Sequence, residues 1–395
     1  MIDRRGLLRG SVGIAVGSLL AGCGANAADA LIVLLLEGAM PSVVLKKFQQ
    51  QSDTPVKFRT AAQVQTVFQT LQRWQQPEVA DSWRRFTPWR QQDQPTTVDN
   101  LVSLGDYWLE SAIAQDLIQP LSIPATTLEL LPEKWQAFGR RDRAGKIDPA
   151  GELWAVPYKL QPLAIVYRHS QFSAAAESEK QPFSSWQDLL APGLKESIAL
   201  PSHPNIILSL LQKLRTGSFN PTDADSAAKT DQLVARLNRQ LATSFAELKA
   251  QVKTYDSDTA LKALINEDVK VVVGWAGDVA IALKRYQDLR VAVPDEGSLL
   301  SADMWVQPKG TVLSDTAKAW IAFCWQQGPA TELSIAQTGI SPIFLAEEAT
   351  IPDALEETQL SLQALKRSEL LLPFSQTVQT AYMDFWQELA SKPLD

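Results

Sequence analysis

The chain has 395 residues, with 37 Lys and Arg against 44 Asp and Glu, and a formal net charge of −7 at pH 7. This length exceeds what one hydrophobic core usually organises, so we expect two lobes. The acidic balance and the lack of any Lys/Arg block argue against nucleic-acid binding.

An apolar run near the N-terminus has the features of a cleavable export signal. Arg4 and Arg5 precede the run from Leu7 to Leu20, which carries a single charge, Arg9. The run falls short of the roughly 20 apolar residues that span a bilayer. A basic start, a short apolar centre and small residues at its end are typical of a signal peptide. The alternative is a short membrane anchor that is never cut.

The end of this run, Leu20-Ala21-Gly22-Cys23, resembles the lipobox of bacterial lipoproteins. That resemblance implies a signal peptide over residues 1–22, a lipidated Cys23, and a tether over 23–28 on the periplasmic side of the membrane. Asp3-Arg4-Arg5-Gly6-Leu7-Leu8 also resembles a twin-arginine motif, with Leu in place of the usual Phe. Removing three Arg and one Asp with the signal leaves 34 basic and 43 acidic residues, a net −9. A negative field of this kind favours the approach of a cation.

The rest of the chain alternates between apolar strand patterns and helical spacing. The predicted strands are 31–36, 56–58, 98–104, 163–167, 198–200 and 269–273. Pro41 is suited to open a helix that runs to Gln51. The alternation predicts parallel sheets covered by helices on both faces. Segments 81–97, 140–152, 174–183 and 218–230 are predicted as surface connections, and Cys324 as a core residue.

Signals of catalysis are scarce. His169 and His203 are the only histidines and lie far apart in the sequence. Their spacing does not suit a zinc site, and no Gly-x-Ser-x-Gly elbow or glycine-rich phosphate loop is present. The sequence therefore predicts a non-enzymatic protein that uses no cofactor and no metal.

The informative positions lie where predicted strands meet helices, because ligands of open α/β sheets bind beyond the carboxyl ends of strands. The polar and aromatic residues at these exits are Glu37, Asp106, Tyr107, Ser202, Asn205, Trp275 and Asp278, and Asp303 leads into a strand. Asp106 and Asp278 have an alternative explanation as helix caps. An aromatic face beside a carboxylate suits an organic ammonium by cation–π contact.

Several stretches resemble, in this order, the extracellular solute-binding proteins of ABC importers, and among them the spermidine/putrescine-binding branch. They are 99–108, 117–121, 153–158, 163–167, 185–189, 271–278, 294–297 and 338–342. The resemblance implies an α/β, two-lobed periplasmic-binding-protein fold of type II, with doubly wound sheets joined by a hinge. Chain order places residues 29–160 and 304–345 in one lobe, and 161–303 and 346–395 in the other.

The resemblance also assigns roles to single residues. Tyr107 falls on a stacking tyrosine, Trp275 on a cleft tryptophan, and Asp303 on an aspartate that holds an ammonium group. Where polyamine binders carry an acidic pair, this chain has Ser202 and Asn205.

Two further departures concern the residue after the first strand and the stretch before Asp303. Glu37 follows the first strand in place of an aromatic and hydroxyl cluster, and Ser301 stands where a second tryptophan is expected. Burying a diamine without paired acids costs several kcal/mol. Asp106, Asp278 and Glu37 are the candidates that replace the missing charge.

The implied partners are a small cationic, polyamine-like solute, an ABC permease and the membrane through the N-terminal lipid, with the protein itself a monomer. A second hypothesis keeps the fold but binds thiamine, a sugar or an iron complex, although iron would need several Tyr or His ligands and only six Tyr and two His exist. A third is a lipoprotein hydrolase or a sensory module. A turnover assay separates the hydrolase from a receptor.

Lipidation predicts that mass spectrometry of the mature protein finds an N-terminal Cys23 that carries acyl chains. Cys23→Ser should abolish both the acyl mass and membrane retention, because the thiol that would carry the acyl chains is removed. A mature protein that retains residues before Cys23 would contradict this assignment.

Overall fold

The structure is a computed structural model that describes residues 30–75, 98–172, 182–221, 229–356, 360–372 and 376–390. The predicted signal peptide and Cys23, together with segment 81–97, lie outside the described residues. Among the helices in these ranges, none combines the length and apolar character that membrane crossing requires.

The strands of the described residues are β1 (Leu31–Leu36), β2 (Val56–Ala61), β3 (Leu101–Gly105), β4 (Ile118–Gln119), β5 (Arg140–Arg141), β6 (Glu152–Leu153), β7 (Ala155–Arg168), β8 (Ile198–Leu200), β9 (Val252–Tyr255), β10 (Val271–Trp275), β11 (Leu289–Ala292), β12 (Leu299–Pro308) and β13 (Glu369–Leu370). The helices are α1 (Ser42–Gln51), α2 (Val64–Gln75), α3 (Leu109–Ala114), α4 (Ala125–Leu128), α5 (Glu133–Phe138), α6 (Pro204–Thr216), α7 (Thr230–Gln251), α8 (Ala260–Ile265), α9 (Ala276–Arg285), α10 (Asp315–Cys324), α11 (Gln327–Gln337), α12 (Asp353–Glu356), α13 (Leu362–Lys366) and α14 (Gln376–Ala390).

The main sheet contains two blocks of parallel strands joined through antiparallel ones. Its order is β2-β1-β3-β12-β7-β10-β8-β9. Strand β1 runs parallel to β2 and β3, and β8 runs parallel to β9 and β10. The prediction of parallel sheets is therefore correct for the two ends. The antiparallel centre was not predicted.

Strand β7 links the two blocks. Its first half pairs with β12, and its second half pairs with β10 and β11. Strand β12 in turn pairs with β3 in the first block. The sequence predicted only the second half, over 163–167, because Pro157, Lys159 and Gln161 interrupt the apolar pattern of the first half.

Each block has an apolar cluster of its own, and a further cluster with members such as Val102 and Val272 spans both blocks. In the first, Phe48 of α1 and Trp305 of β12 pack with Trp320 and Cys324 of α10. Burial raises the pKa of the Cys324 thiol well above its usual value, so Cys324 is the core residue that the sequence predicts. In the second, helices α6, α7 and α14 pack on β8 and β10.

One predicted surface connection is wrong. Segment 140–152 contains β5 and β6, which pair as a small antiparallel sheet. Arg141 of this small sheet is buried and only 2% exposed.

The C-terminal helix α14 is predicted to be required for the stability of the second core. Phe385 is fully buried and its ring meets that of Phe245 with centroids 6.4 Å apart. Phe385→Ala should lower the free energy of unfolding by about 3–5 kcal/mol, because a large buried side chain leaves a cavity. Urea denaturation measures this loss.

The matched control is Met383 on the same helix, which is 36% exposed. Met383→Ala should cost less than about 1 kcal/mol. Equal effects of the two substitutions would contradict the packing of α14 described above.

Candidate functional site

The centre of the candidate site is an ion pair between neighbouring strands. Asp303 of β12 lies opposite Lys159 of β7, and Lys159 Nζ is 2.7 Å from Asp303 Oδ2. The two side chains are 4% and 15% exposed. Gln161 Nε2 donates to the same oxygen at 3.4 Å. Asp303, predicted to hold a ligand's ammonium, therefore already holds one from the protein.

An irregularity in the strand pairing accompanies this contact. The register of β12 against β7 shifts between Asp303, opposite Lys159, and Met304, opposite Pro157. Such bulges bend a strand and re-aim its side chains, and they are frequent beside functional sites. Tyr158, the extra residue, stacks on Trp305 with ring centroids 4.2 Å apart. Its neighbour Lys159 forms the ion pair with Asp303.

Asp106 lies next to this pair because Gly105, the last residue of β3, is opposite Asp303. Asp106 Oδ1 accepts hydrogen bonds from Ser301 Oγ at 2.9 Å and from Ala302 N at 3.0 Å. The carboxylate thus turns toward β12 and forms no cap hydrogen bond on its own short helix. Burial raises the pKa of Asp106 to about 6, against the effect of the two hydrogen bonds.

Asp278 is the third carboxylate of the group. It lies in the first turn of α9, whose N-terminus has no side-chain cap hydrogen bond. Desolvation raises the pKa of Asp278, the charge of Lys159 lowers it, and the charge of Asp303 raises it. Asp278 remains accessible to solvent, and it is close enough to sense both partners of the buried pair. We call Asp106, Asp278, Asp303 and Lys159 the carboxylate cluster.

A glycine allows α9 to approach β7 this closely. A Cβ atom on Gly277 would collide with the side-chain amide of Gln161. Any larger residue would therefore displace the side-chain amide of Gln161, which donates to Asp303 Oδ2.

The predicted aromatic residues lie at different strand exits. Tyr107 is 62% exposed, and its ring meets that of His203 edge-on with centroids 5.9 Å apart. The exits of β3 and β8, which belong to different blocks, therefore approach each other here. Trp275 ends β10 opposite Leu163 of β7 and is half-buried against the second core.

The exit of β8 also carries Ser202 and Asn205. The Ser202 hydroxyl lies 3.1 Å from Ser257 Oγ. Asn205 Oδ1 is buried and has no hydrogen-bond partner among the described residues. A buried acceptor of this kind is costly in a folded protein.

Glu37 is not joined to the carboxylate cluster by any interaction of the described residues. It is exposed in the turn after β1, where its backbone N donates to Ala61 O. The structure thus brings together Asp106, Asp278 and Asp303, and separately Tyr107 with the β8 exit.

Sequence analysis missed Lys159, Gln161 and the contact of His203. Lys159 and Gln161 gave a signal, because they are polar residues inside a strand that is otherwise buried. Burial lowers the pKa of the His203 imidazole, so the ring is neutral at pH 7. Across the described ranges, no group of three His, Cys, Asp or Glu could hold a metal ion.

A family model described as bacterial extracellular solute-binding protein matches residues 96–362. The chain belongs to this family. The match includes β3, β7, β10 and β12, and therefore every member of the carboxylate cluster.

Individual relatives agree with the family. The chain is 23% identical over 241 residues to a spermidine/putrescine-binding periplasmic protein of Haemophilus influenzae, covering 60% of this chain and 62% of that protein. It is 24% identical over 239 residues to the putrescine-binding periplasmic protein PotF of Escherichia coli, covering 57% and 59%. The chain thus spans about three fifths of the length of these relatives.

The fold is that of the two-lobed binding proteins of the periplasm. The structure of PotD, a spermidine/putrescine ABC transporter substrate-binding protein of Streptococcus pneumoniae, superposes with a TM-score of 0.69 at 20% identity. The superposition covers 92% of this chain and 98% of PotD. The expected α/β, two-lobed class is confirmed, and no finding tests the exact lobe boundaries.

The raised pKa of Asp106 predicts a pH-dependent loss of stability. The folded protein holds the proton up to about pH 6 and the unfolded chain only to about 3.8, so the free energy of unfolding falls as pH rises through this window. Between pH 5 and 7.5 this amounts to about 1.4 kcal/mol. Asp106→Asn should gain that much relative to the wild type over the same range, measured by urea unfolding.

Asp116, whose side chain is 71% exposed, provides the control, and Asp116→Asn should follow the wild type at both pH values. A parallel pH dependence of Asp106→Asn and the wild type would show that Asp106 is ionised and well solvated in the folded protein.

Proposed function

We propose that the protein is the substrate-binding lipoprotein of an ABC importer and that it captures a small organic cation between its lobes. The lobes would comprise residues 29–160 with 304–345, and 161–303 with 346–395. Closure would be a hinge motion about the crossing strands β7 and β12. The captured solute would pass to a membrane permease, while the lipid on Cys23 tethers the receptor.

The observation that carries this proposal is the excess of negative charge in the carboxylate cluster. Three carboxylates face one lysine, and the described partners of Asp303 both lie on Oδ2. Those of Asp106 both lie on Oδ1. Each aspartate therefore has a second oxygen that can accept from a ligand. Like charges held close together favour a partner of opposite sign, which favours a cationic guest.

The aromatic residues supply the apolar part of the proposed site. Trp275 ends β10 just before the helix that carries Asp278, and Tyr107 follows Asp106 directly in the chain. Aromatic faces beside carboxylates bind ammonium groups and the hydrocarbon next to them. Ser202 and Asn205, near Tyr107 through His203, would contribute polar contacts.

The class of amine rests on the relatives. The names of the two periplasmic proteins cite putrescine, alone or with spermidine, which makes a polyamine-like amine the first ligand to test. The site here has two neutral residues, Ser202 and Asn205, where the resemblance placed an acidic pair. Its charge comes from Asp106 and Asp278 instead.

The proposal predicts that amines bind and that Asp278 contributes to their affinity. Calorimetric titration with putrescine, spermidine and 4-amino-1-butanol should detect binding, while glucose and ferric citrate should give none. Asp278→Asn should weaken amine binding about tenfold, because roughly 1.4 kcal/mol of charge attraction is lost.

Asp315 is the matched control, because it lies in the first turn of α10 and its side chain is 99% exposed. Asp315→Asn should leave amine affinity unchanged. Binding of the sugar or the iron complex without any amine would favour the alternative ligands, and turnover of an ester or peptide would favour a hydrolase.

A further inference from the structure

Lys159 is not expected in a site that binds organic cations, because its own side chain is a cation. Its ammonium occupies one oxygen of Asp303 in a strand whose side chains are almost entirely buried. We propose that Lys159 is a specificity-determining residue that cancels one carboxylate, so that the site selects a ligand with one positive nitrogen over a diamine. This inference rests on the proposed function and narrows its substrate class.

The lysine is built into the fold at this position. Lys159 is 3% exposed, and the backbone of its neighbour Leu160 exchanges hydrogen bonds with Ile340 at 2.8 and 2.9 Å. A Cβ on Gly339 would come within 3.4 Å of Lys159 Cγ and 2.8 Å of Leu160 O. Glycine at this position thus leaves room for the lysine stem to run toward Asp303.

An incoming ammonium would not readily displace Lys159. A desolvated lysine that loses its carboxylate becomes an unpaired buried charge, which is strongly unfavourable. If the ligand's ammonium took the place of Lys159 on Asp303, the ligand's charge would be paired but the charge of Lys159 would be left without a partner. The ligand therefore binds with Lys159 in place, through the second oxygen of Asp303 and through Asp278.

The local charges leave room for one cation. Asp106, Asp278 and Asp303 bring three negative charges, and Lys159 removes one. Arg141 of β5, also buried, is close enough to interact with Asp106. Two cations thus offset two of the three carboxylates, and a second ligand ammonium would meet the repulsion of both cations with only one carboxylate in excess.

The test compares two ligands of equal length, 1,4-diaminobutane and 4-amino-1-butanol, which differ by one ammonium group. Calorimetry on the full mature chain at pH 7.5 should show that the wild type binds the amino alcohol at least tenfold more tightly. Lys159→Gln should shift this ratio at least tenfold toward the diamine. Lys159→Arg keeps the charge and should keep the preference of the wild type.

Lys213→Gln is the matched control, since Lys213 is also buried with a 4% exposed side chain and pairs with Glu369 at 3.5 Å outside the cluster. It should leave the ratio unchanged. A wild type that prefers the diamine overturns the inference without any variant. An unchanged ratio in Lys159→Gln also overturns it, and the proposed function survives because amines still bind. Absence of amine binding to wild type and variants alike overturns both.

Discussion

The structure depends on a buried charge pair at the place where the two halves of the sheet are joined. Lys159 and Asp303 belong to β7 and β12, the strands that connect the parallel blocks. Loss of either partner would leave a buried charge and cost about 3–5 kcal/mol. The same pair sets the charge that a ligand meets, so the join between the halves and the choice of ligand are physically linked.

Without a bound ligand, several polar groups of the candidate site lie in an energetically unfavourable environment. Burial works against the ionisation of Asp106, desolvation also raises the pKa of the solvent-accessible Asp278, and the carbonyl oxygen of Asn205 is buried without a donor among the described residues. Such costs are common at functional sites, because groups arranged to meet a ligand cannot also satisfy one another. A bound cation would relieve the carboxylates together.

Much of the fold was readable from apolar patterns. Strands β1 and β8 occupy the predicted residues, because each is a continuous aliphatic run bounded by turn residues. The first half of β7 was not readable, since its polar residues break the pattern that marks a buried strand. Antiparallel pairing of β7 with β12 joins residues 138 to 151 positions apart, and no local spacing encodes that contact.

The acidic residues of the site could be predicted from the sequence, whereas its lysine, Lys159, could not. Asp106 and Asp278 lie just beyond the ends of β3 and β10, where topology places ligands, whereas Asp303 lies inside β12 rather than ahead of it. Lys159 sits in mid-strand, and it meets Asp303 only through the pairing of two strands that are distant in the sequence. Asp106 and Asp278 lie in first helical turns, as their alternative explanation as caps requires, but Asp106 bonds to β12 and the N-terminus of α9 has no side-chain cap hydrogen bond.

A crystal structure of the protein with 4-amino-1-butanol bound tests the central claim most directly. The account predicts the ligand's nitrogen within hydrogen-bond distance of Asp303 Oδ1, with Lys159 Nζ still on Oδ2 and Trp275 against the hydrocarbon. A ligand held away from Asp303, or a nitrogen that has replaced Lys159 on Oδ2, would contradict it.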